Sequence, residues 1–206
     1  MILKINKKKF IYLISPNKIS KNFYYNLKLV LKTGKVSFFQ LRLKNYSMKQ
    51  KILIGTKVKN ICKKNKVKFL INDDPSLALK LDADGCHLGQ KDMSLNKAKN
   101  IIGNKIIGIT CHNSINLAKK AVERGANYIA FGAFYSSKTK KTKYFASIRV
   151  LNNIRKFTKI PIVAIGGINY DNYKNLLLNN ANFLAISSYI WKNKKYKPLK
   201  AIEKLK

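Results

Sequence analysis

Two aspartates, Asp73 and Asp92, stand just beyond the ends of short apolar runs in a chain that has only 8 acidic residues among 206. Carboxylate oxygens are the natural protein ligands of magnesium, which takes one or two of them and completes its shell with water and substrate phosphate. Asp74 precedes Pro75 and reads instead as the cap of a helix. A cationic counterpart follows another apolar run: Gln40, Arg42 and Lys44 are spaced by two, so their side chains share one face of an extended segment and can converge on one anion. The run Ser136-Ser137-Lys138-Thr139-Lys140-Lys141 has the hydroxyl and ammonium groups of a loop that closes over a polyphosphate. Gly166-Gly167 and Ser187-Ser188 predict a second anion site, where glycines let backbone N–H groups approach a phosphate. The pairs Cys86-His87 and Cys111-His112 have zinc-ligand types. Neighbours on a strand point to opposite faces, however, so one pair cannot easily give two ligands to one tetrahedral ion. Thr110 and His112 are expected to line a pocket, and Cys86 and Cys111 to pack.

Residues so far apart in sequence need a scaffold that gathers them. Eight apolar runs supply its strands: FIYLI at 10–14, VSFFQLRL at 36–43, KFLIN at 68–72, DGCHL at 84–88, IIGIT at 106–110, YIAFG at 128–132, PIVAIG at 161–166 and FLAIS at 183–187. Between them lie segments of helical period, such as Leu77, Ala78 and Leu81, or Leu117, Ala118, Ala121 and Val122. Continuous apolar strands imply burial on both faces, as in parallel sheets, and eight βα units favour closure into an α/β (β/α)8 TIM barrel over an open sheet. Neither a Gly-x-Gly-x-x-Gly after the first strand nor a Gly-Lys-Ser/Thr loop is present, which removes the usual signatures of the open alternative. In such barrels the working residues sit at the C-terminal ends of the strands, which is where the polar groups named above fall.

A length of 206 residues fits one domain, and 46% apolar composition is enough to close a core. Lys and Arg number 43 against 8 Asp and Glu, a net charge of +35 that attracts polyanions. The basic residues are scattered from Lys4 to Lys206 among many Asn, Ile and Tyr, the residue set of an AT-rich coding sequence, and no nucleic-acid-binding motif accompanies them. Three scattered Cys describe no disulfide framework, and no stretch approaches the about 20 apolar residues of a membrane span. A reducing, cytoplasmic setting is expected.

Taken in order, the segments FFQLRLK, LINDDPSLALKLDADGCHLGQKD, IIGITCHNSINLAKKAVERGANYIAFGAFYSSKTKK and IPIVAIGGINYDN resemble the thiamine phosphate synthase family. With IYLISP and FLAISSYIW the likeness covers nearly the whole chain. The resemblance implies a single (β/α)8-barrel domain over residues 1–206. It implies a transferase that joins hydroxymethylpyrimidine diphosphate to thiazole phosphate, giving thiamine phosphate and pyrophosphate with magnesium (Mg2+) assistance. By the same resemblance Gln40, Arg42, Lys44, Asn72 and Lys140 hold the diphosphate, and Asp73 and Asp92 hold magnesium. Thr110, Ser137, Thr139, Gly167, Ile186 and Ser187 receive the thiazole phosphate. Arg42 and Lys140 would be the catalytic groups, stabilising the departing diphosphate while the thiazole nitrogen attacks the pyrimidine methylene cation. The expected partners are these two small molecules, with no specific nucleic acid and no membrane, and a homo-oligomer is left open. The family's usual Thr-x-Thr-Lys is Ser137-Lys138-Thr139-Lys140 here, which keeps both hydroxyls. Two rival readings are a thiazole tautomerase of the same fold, whose strand-five histidine His112 would match, and a nucleic-acid-binding protein using the +35 charge. A tautomerase has no need of Arg42, Asn72, Asp73, Asp92 and Lys140 together.

Overall fold

The computed structural model describes residues 9–136 and 143–206. Eight parallel strands close into a barrel in sequence order: β1 Ile11–Ile14, β2 Val36–Leu41, β3 Lys68–Asn72, β4 Gly85–Leu88, β5 Ile106–Thr110, β6 Tyr128–Gly132, β7 Ile162–Ile165 and β8 Phe183–Ile186. The closing pair is β1 with β8, in the register Ile11 to Leu184 and Leu13 to Ile186. All eight strands expected from the apolar runs are present. Helices wrap the outside: α1 Phe23–Lys32, α2 Met48–Lys64, α3 Pro75–Lys80, α4 Leu95–Ile102, α5 Ile115–Glu123, α6 Ile148–Phe157, α7 Tyr173–Leu178, α8 Ser188–Trp191 and α9 Pro198–Glu203.

Strand alternation sorts side chains into two cores. Phe38, Leu70, Ile106, Tyr128, Val163 and Phe183 fill the barrel interior, where Phe38 and Phe183 meet edge to face at 5.0 Å. Phe39, Leu41, Phe69, Ile71, Ile129 and Leu184 point outward against the helices. Interior space is tight: a Cβ on Gly108 would lie 1.8 Å from the Tyr128 ring, so glycine at this inward position is what admits the tyrosine.

Loop and cap chemistry sets where each strand end hands over to its helix. Asp74 Oδ1 accepts the Leu77 N–H at 2.9 Å and Pro75 occupies the first helical turn, so Asp74 is the cap the sequence indicated. Ser47 and Gln50 form a reciprocal capping box that fixes the start of α2. At the opposite end of the barrel, Lys35 Nζ donates to the carbonyls of Glu203 and Leu205 at 2.9 and 2.7 Å, tying the end of α9 to the turn before β2. Hydrogen bonds from Lys105 and Lys59 hold the exposed Asp82 carboxyl at about 2, well below the ordinary range.

Candidate active site

The inward alternation of β2 places Gln40 inside the barrel, 2% exposed, above Phe38. Its Nε2 has no hydrogen-bond partner among the described residues, a buried donor left free for something absent from the protein. β2 itself ends at Leu41, but Leu41 and Leu43 both bury outward, so the alternation continues and the half-buried Arg42 stays on Gln40's side. Arg42 Nη1 donates to Asn17 Oδ1 at 3.2 Å. The Arg42 backbone N–H donates to Ser15 Oγ at 2.9 Å, Ser15 N–H donates to the Gln40 carbonyl at 2.9 Å, and Ser187 Oγ–H donates to the Ser15 carbonyl at 3.2 Å. Ser15, 2% exposed, thereby knits the tops of β8, β1 and β2. Sequence reasoning passed over this residue, whose one signal is a hydroxyl directly after a fully buried strand.

Asn72 ends β3 and pairs in register with His87 of β4. Asp73 then turns with a left-handed φ of +64°, uncommon outside glycine, and its N–H donates to the His87 carbonyl at 2.8 Å. The Asp73 carboxyl is raised to about 6. Burial is the largest cause, followed by the carboxylate of Asp92, close enough to hydrogen-bond the protonated form; Lys44 and Asn72 act in the opposite direction. Asp92 is held in turn, its Oδ2 accepting the Gly89 N–H at 2.7 Å. A Cβ at Gly89 would approach that oxygen to 2.9 Å.

The Asp92 carboxylate beside it favours the protonated form of Asp73, and two carboxylates so placed are of a kind that a divalent cation suits. Among the described residues no cluster of three or more His, Cys, Asp or Glu exists, so the donor set is two carboxylate oxygens. That matches magnesium, which leaves its remaining positions to water and phosphate. It does not match zinc, because Cys86 is buried in the outer core, its thiol pushed up to about 12 by burial, while His87 belongs to the interior. Cys111 packs as expected and is likewise pushed up to about 12.

His87 is the residue whose place the sequence did not reveal. Its Nδ1 is 2.8 Å from the Tyr128 hydroxyl, which is 2.8 Å from the Tyr12 hydroxyl, and its Nε2 is 2.7 Å from Thr110 Oγ1. A chain of four polar groups thus climbs from the barrel centre to the mouth. Thr110, expected to meet the thiazole phosphate, has its hydroxyl engaged with His87. His112 stacks on Tyr144 at 4.2 Å, outside that chain.

On the far side of the mouth, Gly166 and Gly167 have φ of +106° and +62°. A Cβ on Gly167 would lie 2.4 Å from the Ser136 carbonyl oxygen, and one on Gly166 would lie 2.3 Å from Ala133 Cβ. The glycines are required because residues 133–136 lie directly over them, with the Tyr135 N–H donating to the Gly166 carbonyl at 3.1 Å. Ser137, Thr139 and Lys140 lie outside the described residues. Ile186 differs from expectation in orientation: its side chain packs in the outer core, so only its backbone can serve the mouth. Ser187 follows at the start of α8.

A closed (β/α)8 barrel that gathers two aspartates, an arginine and a pair of positive-φ glycines at the C-terminal ends of its strands has the form of a barrel enzyme. Residues 11–190 match the thiamine monophosphate synthase family, and the chain belongs to that family. It is 70% identical over 204 residues to a thiamine-phosphate synthase of Pelagibacter ubique (strain HTCC1062), covering 98% of both chains. A thiamine-phosphate synthase of Nitrosomonas eutropha is 40% identical over 159 residues, 77% of this chain and 75% of that one. The thiamine phosphate pyrophosphorylase structure from Pyrococcus furiosus superposes with a TM-score of 0.85 at 30% identity, covering 97% of this chain and 94% of that one. The chain is therefore a transferase of thiamine biosynthesis, and the tautomerase and nucleic-acid readings give way.

Proposed function

We propose that this chain condenses hydroxymethylpyrimidine diphosphate with thiazole phosphate in the cytoplasm, by magnesium-assisted departure of the diphosphate. The observation that carries the reading is the meeting of Asp73 and Asp92, from two successive strand ends, in one carboxylate pair beside the barrel mouth. Asp73 and Asp92 would hold magnesium. When bound, it offsets negative charge on the diphosphate and so makes it a better leaving group.

The remaining work falls to the protein's own groups. Gln40, buried deeper than a rim ligand and with a free Nε2, is suited to hydrogen-bonding the pyrimidine ring rather than the diphosphate tail expected for it. His87, held by Tyr128 and Thr110, presents a fixed ring to the barrel interior. Arg42, Lys44, Asn72 and Lys140 bind the diphosphate and stabilise the charge that develops on its oxygen as the bond to the methylene carbon breaks. The electrons of that bond leave with the oxygen, and the resulting cation is captured by the thiazole nitrogen. Gly167, the Ile186 backbone, Ser187, Ser137 and Thr139 hold the thiazole phosphate, so much of the acceleration is positioning. No side-chain nucleophile is needed.

The test is a coupling assay with both substrates as magnesium is titrated from zero. Product should form only with the divalent ion, and Lys140→Ala should lower kcat by at least about a hundredfold while leaving the melting temperature unchanged. Full activity without a divalent ion, or in Lys140→Ala, would refute these assignments.

A further inference from the structure

Beside the mouth, between the tops of β2 and β3, opens a cleft of about 380 Å³, within the size range of small-molecule sites. Leu41, Leu43, Ile71 and Leu77 give it an apolar lining, and its polar groups are Lys44, Lys51, Asn72, Asp73 and Asp74. Asp74 is engaged as the cap of α3. Lys44 acts electrostatically on Asp73. Lys51, in the first turn of α2, is different: it is half-buried, and among the described residues no hydrogen bond, ion pair or ring contact engages its ammonium. The capping box at Ser47 and Gln50 fixes the turn from which it projects.

A lysine ammonium at the wall of a cleft, with no anion paired to it, is available to a negatively charged occupant. The cleft shares Asn72 and Asp73 with the proposed diphosphate and cation site, so the two adjoin. We propose that Lys51 is a further positioning residue for the diphosphate, receiving its distal phosphate in this side cleft before and after the carbon–oxygen bond breaks. The inference rests on the function proposed above and adds to it a residue that none of the sequence motifs included. Its chemistry is that of a point charge for a phosphate, with no geometric demand for a planar fork.

The experiment is calorimetric titration of inorganic pyrophosphate, with magnesium chloride at fixed ionic strength, into the full-length protein and three variants. Lys51→Ala is expected to weaken pyrophosphate binding by about tenfold, and Lys51→Arg to restore it to within about threefold. Lys49→Ala removes the same charge from an exposed site on the same helical turn, so it separates a local contact from the general field of a +35 protein. It should change binding by less than about twofold. In steady-state coupling, Lys51→Ala should weaken product inhibition by pyrophosphate equally and leave KM for thiazole phosphate unchanged, a split that mere loosening of α2 would not give. Unchanged pyrophosphate binding in Lys51→Ala, or an equal loss in Lys49→Ala, would overturn the inference while leaving the proposed function standing. A wild-type protein that neither binds pyrophosphate nor couples the substrates would overturn both.

Discussion

Asp73 concentrates two local energetic costs in one residue. It combines a left-handed backbone with a carboxyl raised to about 6 by burial and by Asp92, and both features weaken the metal-free fold. Because the folded-state value lies above the unfolded one of about 4, the folded protein holds this proton more tightly. The resulting stabilisation is fully present below about pH 4 and is lost as pH rises through about 6. Asp73→Asn is therefore expected to stabilise the metal-free protein at pH 8 by about 1 kcal/mol in urea unfolding, the shift being discounted for the residue's partial exposure. The gain should disappear near pH 3, and the variant should not couple substrates. At this scale residue type in the sequence was enough to single out Asp73, Asp92 and Arg42, and the structure puts the two aspartates side by side. It was opaque where a role is defined by distant partners: His87 depends on Tyr128, 41 residues away, and Tyr128 on Tyr12, 116 residues away. Adjacent Cys86 drew His87 toward a metal reading that strand alternation then divided between two faces.

Elements were easier to read than residues. Every strand was visible as an apolar run because barrel strands are buried on both faces, and the Asp74-Pro75 cap was visible because cap chemistry is local. The short helices α8 and α9 were not read, since four and six residues are too few to show a period. Orientation at strand ends was also hidden: Ile186 lies at the expected place, but parity along β8 turns its side chain outward. The seam between β6 and β7 carries a prediction of its own. Gly167→Ala would place a methyl 2.4 Å from the Ser136 carbonyl at a φ of +62°, so the segment entering residues 137–142 must shift. The expected result is a KM for thiazole phosphate raised by about tenfold or more, with KM for the pyrimidine diphosphate little changed. Equal changes in both constants would place the defect elsewhere.

Across the whole molecule, charge is the dominant feature, yet the five acids Asp73, Asp74, Asp82, Asp84 and Asp92 all fall in one short stretch around β4. Two of them meet at the barrel mouth, Asp74 caps a helix, and Asp82 and Asp84 pair with lysines. These five acids thus have local partners, inside a positive field that draws in anions from all directions. Both substrates are anionic, so KM for each should rise several-fold as ionic strength increases from about 0.01 to 0.1 M and the screening length falls from about 30 to 10 Å, while kcat changes far less. A kcat that fell in parallel with no change in KM would contradict steering as the role of the charge. The carboxylate pair is tested most directly by anomalous diffraction from crystals soaked with manganese and pyrophosphate. A manganese peak coordinated by both Asp73 and Asp92 and by a pyrophosphate oxygen is expected; a peak bound to neither aspartate, or pyrophosphate seated away from Arg42 and Asn72, would contradict the assignment.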